Sequence, residues 1–138
     1  MKMIKLTLPG TIRIKKNSRR IFGYGKFKKV LPSKAYELWE NEARKYIMTQ
    51  IELTRSLPPF SGPIHVKMLA YYKGNRPDLS GAMESVGDCL EGLVWESDSQ
   101  ICSWDGSRMI HDLKNPRTEI MVEEFMEGIK EVSHEKTY

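Results

Sequence analysis

The sequence predicts an α/β protein of the α+β kind, a single small domain in which two main helices pack on a mixed β-sheet in the order β-α-β-α-β-β. Its length of 138 residues fits one domain. Apolar residues alternate with polar ones in some segments, which is typical of strands, and recur every three or four residues in others, which is typical of helices. We assign the domain to residues 1–125 and a polar C-terminal tail to residues 126–138.

The first half of the chain predicts a strand, a loop and a long helix. Apolar and polar residues alternate over residues 3–8, which predicts a strand. Pro9-Gly10 ends this strand or forms a bulge in it, and the alternation of Ile12 and Ile14 suggests that the strand then resumes. Residues 15–31 read as a basic loop containing aromatic residues. Ser33 is the predicted N-cap of a helix of about 20 residues that ends before Pro58-Pro59. The apolar face of this helix comprises Tyr36, Trp39, Ala43, Tyr46 or Ile47, and Ile51.

The second half predicts three strands and a shorter helix. Residues 64–73 alternate most clearly as a strand, and residues 74–77 form a turn. Residues 79–92 predict a helix whose apolar stripe comprises Leu79, Met83, Val86 and Leu90. Residues 100–111 predict a strand with a turn or bulge at Asp105-Gly106, and residues 117–125 predict the last strand.

Positive charge is concentrated near the N-terminus. Residues 1–36 carry eleven of the 22 Lys and Arg residues and none of the 18 Asp and Glu residues. Such a segment suits a polyanion such as DNA, although a solvated basic arm without a partner would look the same. No apolar run is long enough to cross a bilayer, and the N-terminus lacks a secretory signal. We expect Cys89 and Cys102 to be reduced, mostly buried thiols of a cytoplasmic protein that does not bind membranes.

Carboxylates cluster in the region between residues 73 and 100. The predicted strand delivers Asp78 to a turn, the following helix displays Glu84, Asp88 and Glu91 away from its apolar stripe, and Glu96 and Asp98 come soon after. Oxygen ligands converging from a strand end, a helix and a loop favour a hard divalent cation such as magnesium. The alternative is that the helix acids are a solvated face and that Asp78 is only the N-cap of helix 79–92.

Several motifs of this region resemble one family. Arg76-Pro77-Asp78-Leu79 opens the pattern, Asp88 and Leu90 follow on the helix, and Trp95, Asp98 and Gln100 close it; Lys16-Asn17-Ser18-Arg19-Arg20 looks like the matching basic loop. Together they resemble the RusA family of Holliday-junction resolvases over roughly residues 3–124. The resemblance implies a small α/β homodimer that uses Mg²⁺, with Mn²⁺ as the alternative, to cut two strands of a four-way DNA junction in recombination and repair. It makes Asp78 the first metal ligand and Asp98 the closing one.

Three positions depart from the family pattern, which has Asp, Asn and Lys where this chain has Ser80, Gly81 and Glu84. In a regular helix, Ser80, Glu84 and Asp88 lie one turn apart on one face, so the longer Glu84 could supply the carboxylate that is absent at position 80. We therefore predict that Asp78, Glu84 and Asp98 bind the metal. Asp88 is predicted to be a further ligand or a close neighbour, and these four residues are the predicted catalytic set.

The predicted DNA contacts are basic residues of the N-terminal segment and of the turn before Asp78. They are Lys15, Lys16, Arg19, Arg20, Lys26, Lys28, Lys29, Lys73 and Arg76. Two other readings stay open. One is a catalytically impaired relative that binds junctions without cutting them, and the other is a basic adaptor that binds RNA or protein.

Overall fold

The computed structural model describes residues 2–15, 19–22, 29–54 and 59–125. The strands are β1 (Met3–Pro9), β2 (Arg19–Phe22), β3 (Lys29–Pro32), β4 (Ile64–Tyr72), β5 (Ile101–Ser103), β6 (Arg108–His111) and β7 (Arg117–Glu124). The helices are α1 (Lys34–Thr54) and α2 (Leu79–Leu90), and Asp98–Gln100 form one turn of 3-10 helix. The predicted fold class is confirmed, whereas the tail predicted for residues 126–138 lies outside the described residues.

The main sheet has five strands and is mixed. β7 lies between β1 and β4 and is antiparallel to both. The other edge of β4 pairs in parallel with two short strands, β5 beside Ile64 and His65 and β6 beside Leu69–Tyr72. The chain therefore crosses over from β4 to β5 and β6 through α2, and the first described strand pairs with the last described one.

The core lies between one face of this sheet and both helices. Ile4, Leu6 and Leu8 alternate with exposed residues along β1, and β4 and β7 show the same period of two. These side chains form one buried cluster with residues of the helices, including Ala43, Ile47, Val86 and Leu90. The opposite face of β4 and β7 carries half-buried residues, among them polar ones such as Lys67, Arg117 and Glu119.

Three details differ from the prediction. Residues 15–31, expected to be a loop, contribute β2 and most of β3, which pair as an antiparallel hairpin apart from the main sheet. Ile12 and Ile14 are buried as a strand would bury them, but they lie in irregular backbone. The strand expected over residues 100–111 is divided into β5 and β6, because the chain turns at Gly106, which adopts a φ of 84°.

Polar contacts hold the start of α1 and the C-terminal end of α2. The Ser33 Oγ accepts a hydrogen bond from the Tyr36 backbone N–H at 3.1 Å, which caps α1. Tyr36, Ala43 and Ile47 are buried as predicted, whereas Tyr46 is 48% exposed. The C-terminal end of α2 is held by α1, because Arg44 Nη1 donates hydrogen bonds to the backbone carbonyls of Asp88, Cys89 and Glu91.

Both cysteines are free thiols. Cys89 is buried in the core, and burial raises the pKa of its thiol to about 12. Cys102, expected to be mostly buried, is exposed because its β5 position points away from the core. Within the described segments, no helix combines the length and apolar character that a membrane span requires.

Candidate active site

Asp78 sits at the N-terminus of α2 and caps it. Its Oδ2 accepts hydrogen bonds from the backbone N–H of Gly81 at 3.2 Å and from the Ser80 hydroxyl at 2.8 Å. The backbone at Asp78 is extended, with φ −68° and ψ 132°, as an N-cap requires. The capping role is therefore confirmed.

Asp78 also lines an open cleft of about 590 Å³. The residues of this cleft, which we call the Arg108 cleft, are Arg76, Pro77, Asp78, Leu79, Arg108 and Met109. It is formed where the turn before α2 meets β6. One carboxylate thus shares a solvent-accessible cleft with two guanidinium groups, an arrangement that can accept an anionic group close to metal-binding oxygens.

A second cleft of about 380 Å³ adjoins the first across the same turn. The residues of this cleft, which we call the Arg13 cleft, are Thr11, Ile12, Arg13, Ile14, Asn75, Arg76 and Pro77. Arg76 and Pro77 line both clefts, so the turn separates them as a narrow ridge. The irregular segment that follows β1 therefore forms part of the surface around Asp78.

Asp98 is held against the other half of α2. Its Oδ1 accepts a hydrogen bond from the Trp95 indole Nε1–H at 2.7 Å, and its backbone N–H donates to Glu91 Oε2 at 2.9 Å. Its Oδ2 lies 3.2 Å from the point where a Cβ on Gly87 would be. A side chain at Gly87 would therefore crowd the carboxylate, which would have to shift by a few tenths of an ångström.

The surroundings of Asp98 disfavour its charge. Burial raises the pKa of the Asp98 carboxyl, and repulsion from Glu91 and Asp88 raises it further, while the Trp95 hydrogen bond works in the opposite direction. Among the described residues, Lys15 supplies a positive charge here, with its Nζ 3.5 Å from Asp88 Oδ2. Asp98 therefore belongs to a local excess of negative charge.

Because the pKa of Asp98 is raised in the folded protein above its ordinary 3.8, its contribution to stability is fully present below that value. This contribution is lost as the pH rises through the folded pKa. We expect Asp98→Asn, which does not titrate, to gain stability relative to the wild type as the pH increases. Thermal melting without divalent cations, at pH 7 and at about pH 3, should show the larger gain at pH 7. An equal difference in melting temperature at both pH values would contradict the proposed environment of Asp98.

The predicted metal ligands lie along one helix but are not gathered into one group. Asp78 bonds to Gly81, Asp98 rests on Gly87, and the exposed Glu84 lies midway between these two glycines. Gly81 and Gly87 are six positions apart in the helix, which corresponds to a rise of about 9 Å. The described part of the chain contains no group of three or more His, Cys, Asp or Glu side chains that could hold a metal ion. The ligand set Asp78, Glu84 and Asp98 stays a prediction, whereas Asp88 and Asp98 do lie close enough to interact.

The predicted DNA-contacting residues fall into three groups. Lys15 lies beside Asp88, Arg76 lines both clefts, and Lys73 is exposed on the turn after β4. Arg19, Arg20 and Lys29 belong to β2 and β3, of which only the backbone is described. Lys16, Lys26 and Lys28 lie outside the described residues. Arg13 and Arg108, which line the clefts, are not among the predicted residues, because each lies within an alternating, strand-like segment and belongs to no recognisable motif.

Comparison with protein families gives a match to "Endodeoxyribonuclease RusA" over residues 11–123. The matched segment includes both clefts, α2 and the Asp98 environment. No curated protein matches the chain.

Proposed function

Because the chain belongs to the RusA family of endodeoxyribonucleases, we propose that it is a magnesium-dependent, structure-specific DNA endonuclease. Its proposed reaction is the resolution of Holliday junctions by paired phosphodiester hydrolysis in recombination and repair. The observation that carries this proposal is the Arg108 cleft, which the exposed residue Asp78 lines together with Arg76 and Arg108. Nucleases that use a metal need such carboxylate oxygens next to groups that hold a phosphate.

The proposed cation is Mg²⁺, with Mn²⁺ as a substitute. Its proposed ligands are Asp78, Asp98 and Glu84, whose side chains would have to converge on the ion from positions spread along α2. An all-carboxylate donor set suits these hard ions. The negative charge around Asp98 supports the assignment, because a cation would relieve the repulsion that raises the pKa of this carboxyl. When bound, the ion would polarise the phosphodiester and activate a water molecule.

The remaining residues would position DNA. Arg76 would hold a phosphate at Asp78, while Lys15 would offset the charge of Asp88. The basic residues of the N-terminal loop predicted over residues 15–31 would contact the backbone of the junction arms. Paired cuts require two active sites, so the proposed active form is a homodimer, and its proposed location is the cytoplasm.

A second candidate function is supported by Ser80. Its hydroxyl donates to Asp78 Oδ2 at 2.8 Å. Position 80 thus carries a neutral side chain, whereas the family pattern has a metal-binding aspartate there. A protein with this substitution could retain the DNA-binding surface and lose cleavage. It would then act as a junction-binding protein.

The test is incubation of the purified protein with a labelled four-way junction in Mg²⁺, in Mn²⁺ and in EDTA. We expect symmetrically paired nicks with either metal and none in EDTA, because the chemistry depends on the cation. Tight binding without nicks would favour the second candidate. Equal affinity for a junction and a linear duplex of the same length, without cleavage, would contradict both and favour a basic adaptor.

A further inference from the structure

The arginines whose side chains are described divide into two groups. Arg44 and Arg117 hold the fold together. Arg44 bonds to the carbonyls at the end of α2, and Arg117 pairs with Asp112 and Glu119 while lying 3.8 Å from the ring centre of Tyr71. Their guanidinium groups already have partners and are only partly accessible.

Arg13, Arg76 and Arg108 form the other group. All three are exposed, and within the described residues their guanidinium groups make no hydrogen bond or ion pair. All three also line the Arg13 cleft or the Arg108 cleft. The unpartnered arginines of the described chain are thus placed on both sides of the ridge that carries Arg76 and leads to Asp78.

The backbones that carry the two outer arginines are fixed by the fold. The carbonyl of Arg13 accepts a hydrogen bond from the buried Ser85 hydroxyl of α2 at 2.6 Å. Arg108 lies opposite Leu69 in the β4–β6 ladder. The Arg13 backbone is thus tied to α2 and the Arg108 backbone to the sheet, so the two backbones hold their separation, which is what recognition of a regularly spaced ligand requires.

We propose that Arg13 and Arg108 bind the DNA backbone phosphates on the two sides of the phosphodiester that is cut, with Arg76 between them. The inference rests on the proposed function and extends it to two residues outside the basic N-terminal loop. A guanidinium presents paired N–H donors that match the oxygens of a phosphate, and these contacts fix the register of the strand without reading its sequence. The cut strand would thus run from one cleft to the other, past Asp78.

The test compares Arg13→Gln, Arg108→Gln and the double variant with Lys45→Gln as a control. Lys45 is exposed on α1, where it pairs with Glu42. The affinity for a four-way junction is measured in EDTA over a series of salt concentrations. Each single variant should bind several-fold more weakly, and the slope of log K against log salt should fall by about 1, and by about 2 in the double variant. Lys45→Gln should leave both quantities unchanged.

Arg108→Lys distinguishes a phosphate contact from a packing effect. It keeps the charge, so it should retain the slope that Arg108→Gln loses. Equal losses of slope in both variants, or unchanged slopes in both glutamine variants, would overturn the inference. If either of these outcomes is found while the wild type still prefers and cuts the junction, only the inference about Arg13 and Arg108 is contradicted and the proposed function is retained. If the wild type neither prefers nor cuts the junction, the proposed function fails and the inference fails with it.

Discussion

Replacing Asp78 with asparagine is expected to slow junction cleavage by at least about 100-fold, which corresponds to about 2.7 kcal/mol of lost transition-state stabilisation. The reason is the loss of the negative charge that faces the Arg108 cleft. Asparagine caps a helix as well as aspartate does, so the bond to the Gly81 N–H should persist and the protein should stay folded. Single-turnover cleavage of a four-way junction in Mg²⁺ measures the effect.

Asp78→Ala is the matched comparison for this variant. It removes the cap along with the charge, so it should lose about 1 kcal/mol of stability in addition to activity. Similar melting temperatures for the wild type and Asp78→Asn, with a lower one for Asp78→Ala, would separate the two roles of the residue. Cleavage by Asp78→Asn at the wild-type rate would remove Asp78 from the reaction.

Replacing Trp95 with alanine should lower the free energy of unfolding by about 3–5 kcal/mol, the usual cost of truncating a buried aromatic residue. Trp95 is fully buried in the core cluster, and its backbone bridges to the equally buried Phe60. The substitution also removes the indole donor from Asp98. Denaturant unfolding followed by circular dichroism measures the loss, which is large for a domain whose total stability is of the order of 5–15 kcal/mol.

Trp95→Phe tests which part of this side chain matters. It keeps most of the apolar volume but removes the N–H, so it should lose less stability than alanine does. It should also raise the pKa of Asp98 further, because the Trp95 hydrogen bond lowers that pKa. Equal destabilisation by Phe and Ala would show that packing of the ring is not what makes Trp95 important.

The sequence predicted the fold best where the spacing of apolar residues and the helix-capping residues indicate the same element. α1 follows from the spacing of Tyr36, Ala43 and Ile47 behind the Ser33 cap, and the confirmed fold class follows from the alternating runs of β1, β4 and β7. α2 was predicted in place but with a partly wrong face. Leu79, placed on its apolar stripe, is 38% exposed at the Arg108 cleft. The glycines and alanine at 81, 82 and 87 are buried instead, because small residues allow close approach to the helix, which apolar periodicity does not record.

The site was predictable only as a set of acidic residues along the chain. The RusA pattern singled out Asp78 and Asp98, but the contacts around Asp98 depend on Trp95 and Gly87 meeting in space. The clefts bring together Arg13, Arg76 and Arg108 from segments that are far apart in sequence. Such convergence comes from strand pairing, since β6 reaches Asp78 only because it pairs with β4.

The position of β7 has a consequence for how this chain folds during its synthesis. β7 is the last described strand, yet it lies between β1 and β4 and joins them. Until residue 124 is available, β1 has no partner strand in the main sheet and its apolar residues Ile4, Leu6 and Leu8 cannot complete the core. Pairing strands from opposite ends of a domain is slow, because the entropy of closing the long intervening loop is lost before the new contacts compensate for it. A product truncated before β7 should therefore expose two unpaired strand edges and aggregate, and the chain should fold only after nearly all of it has been made.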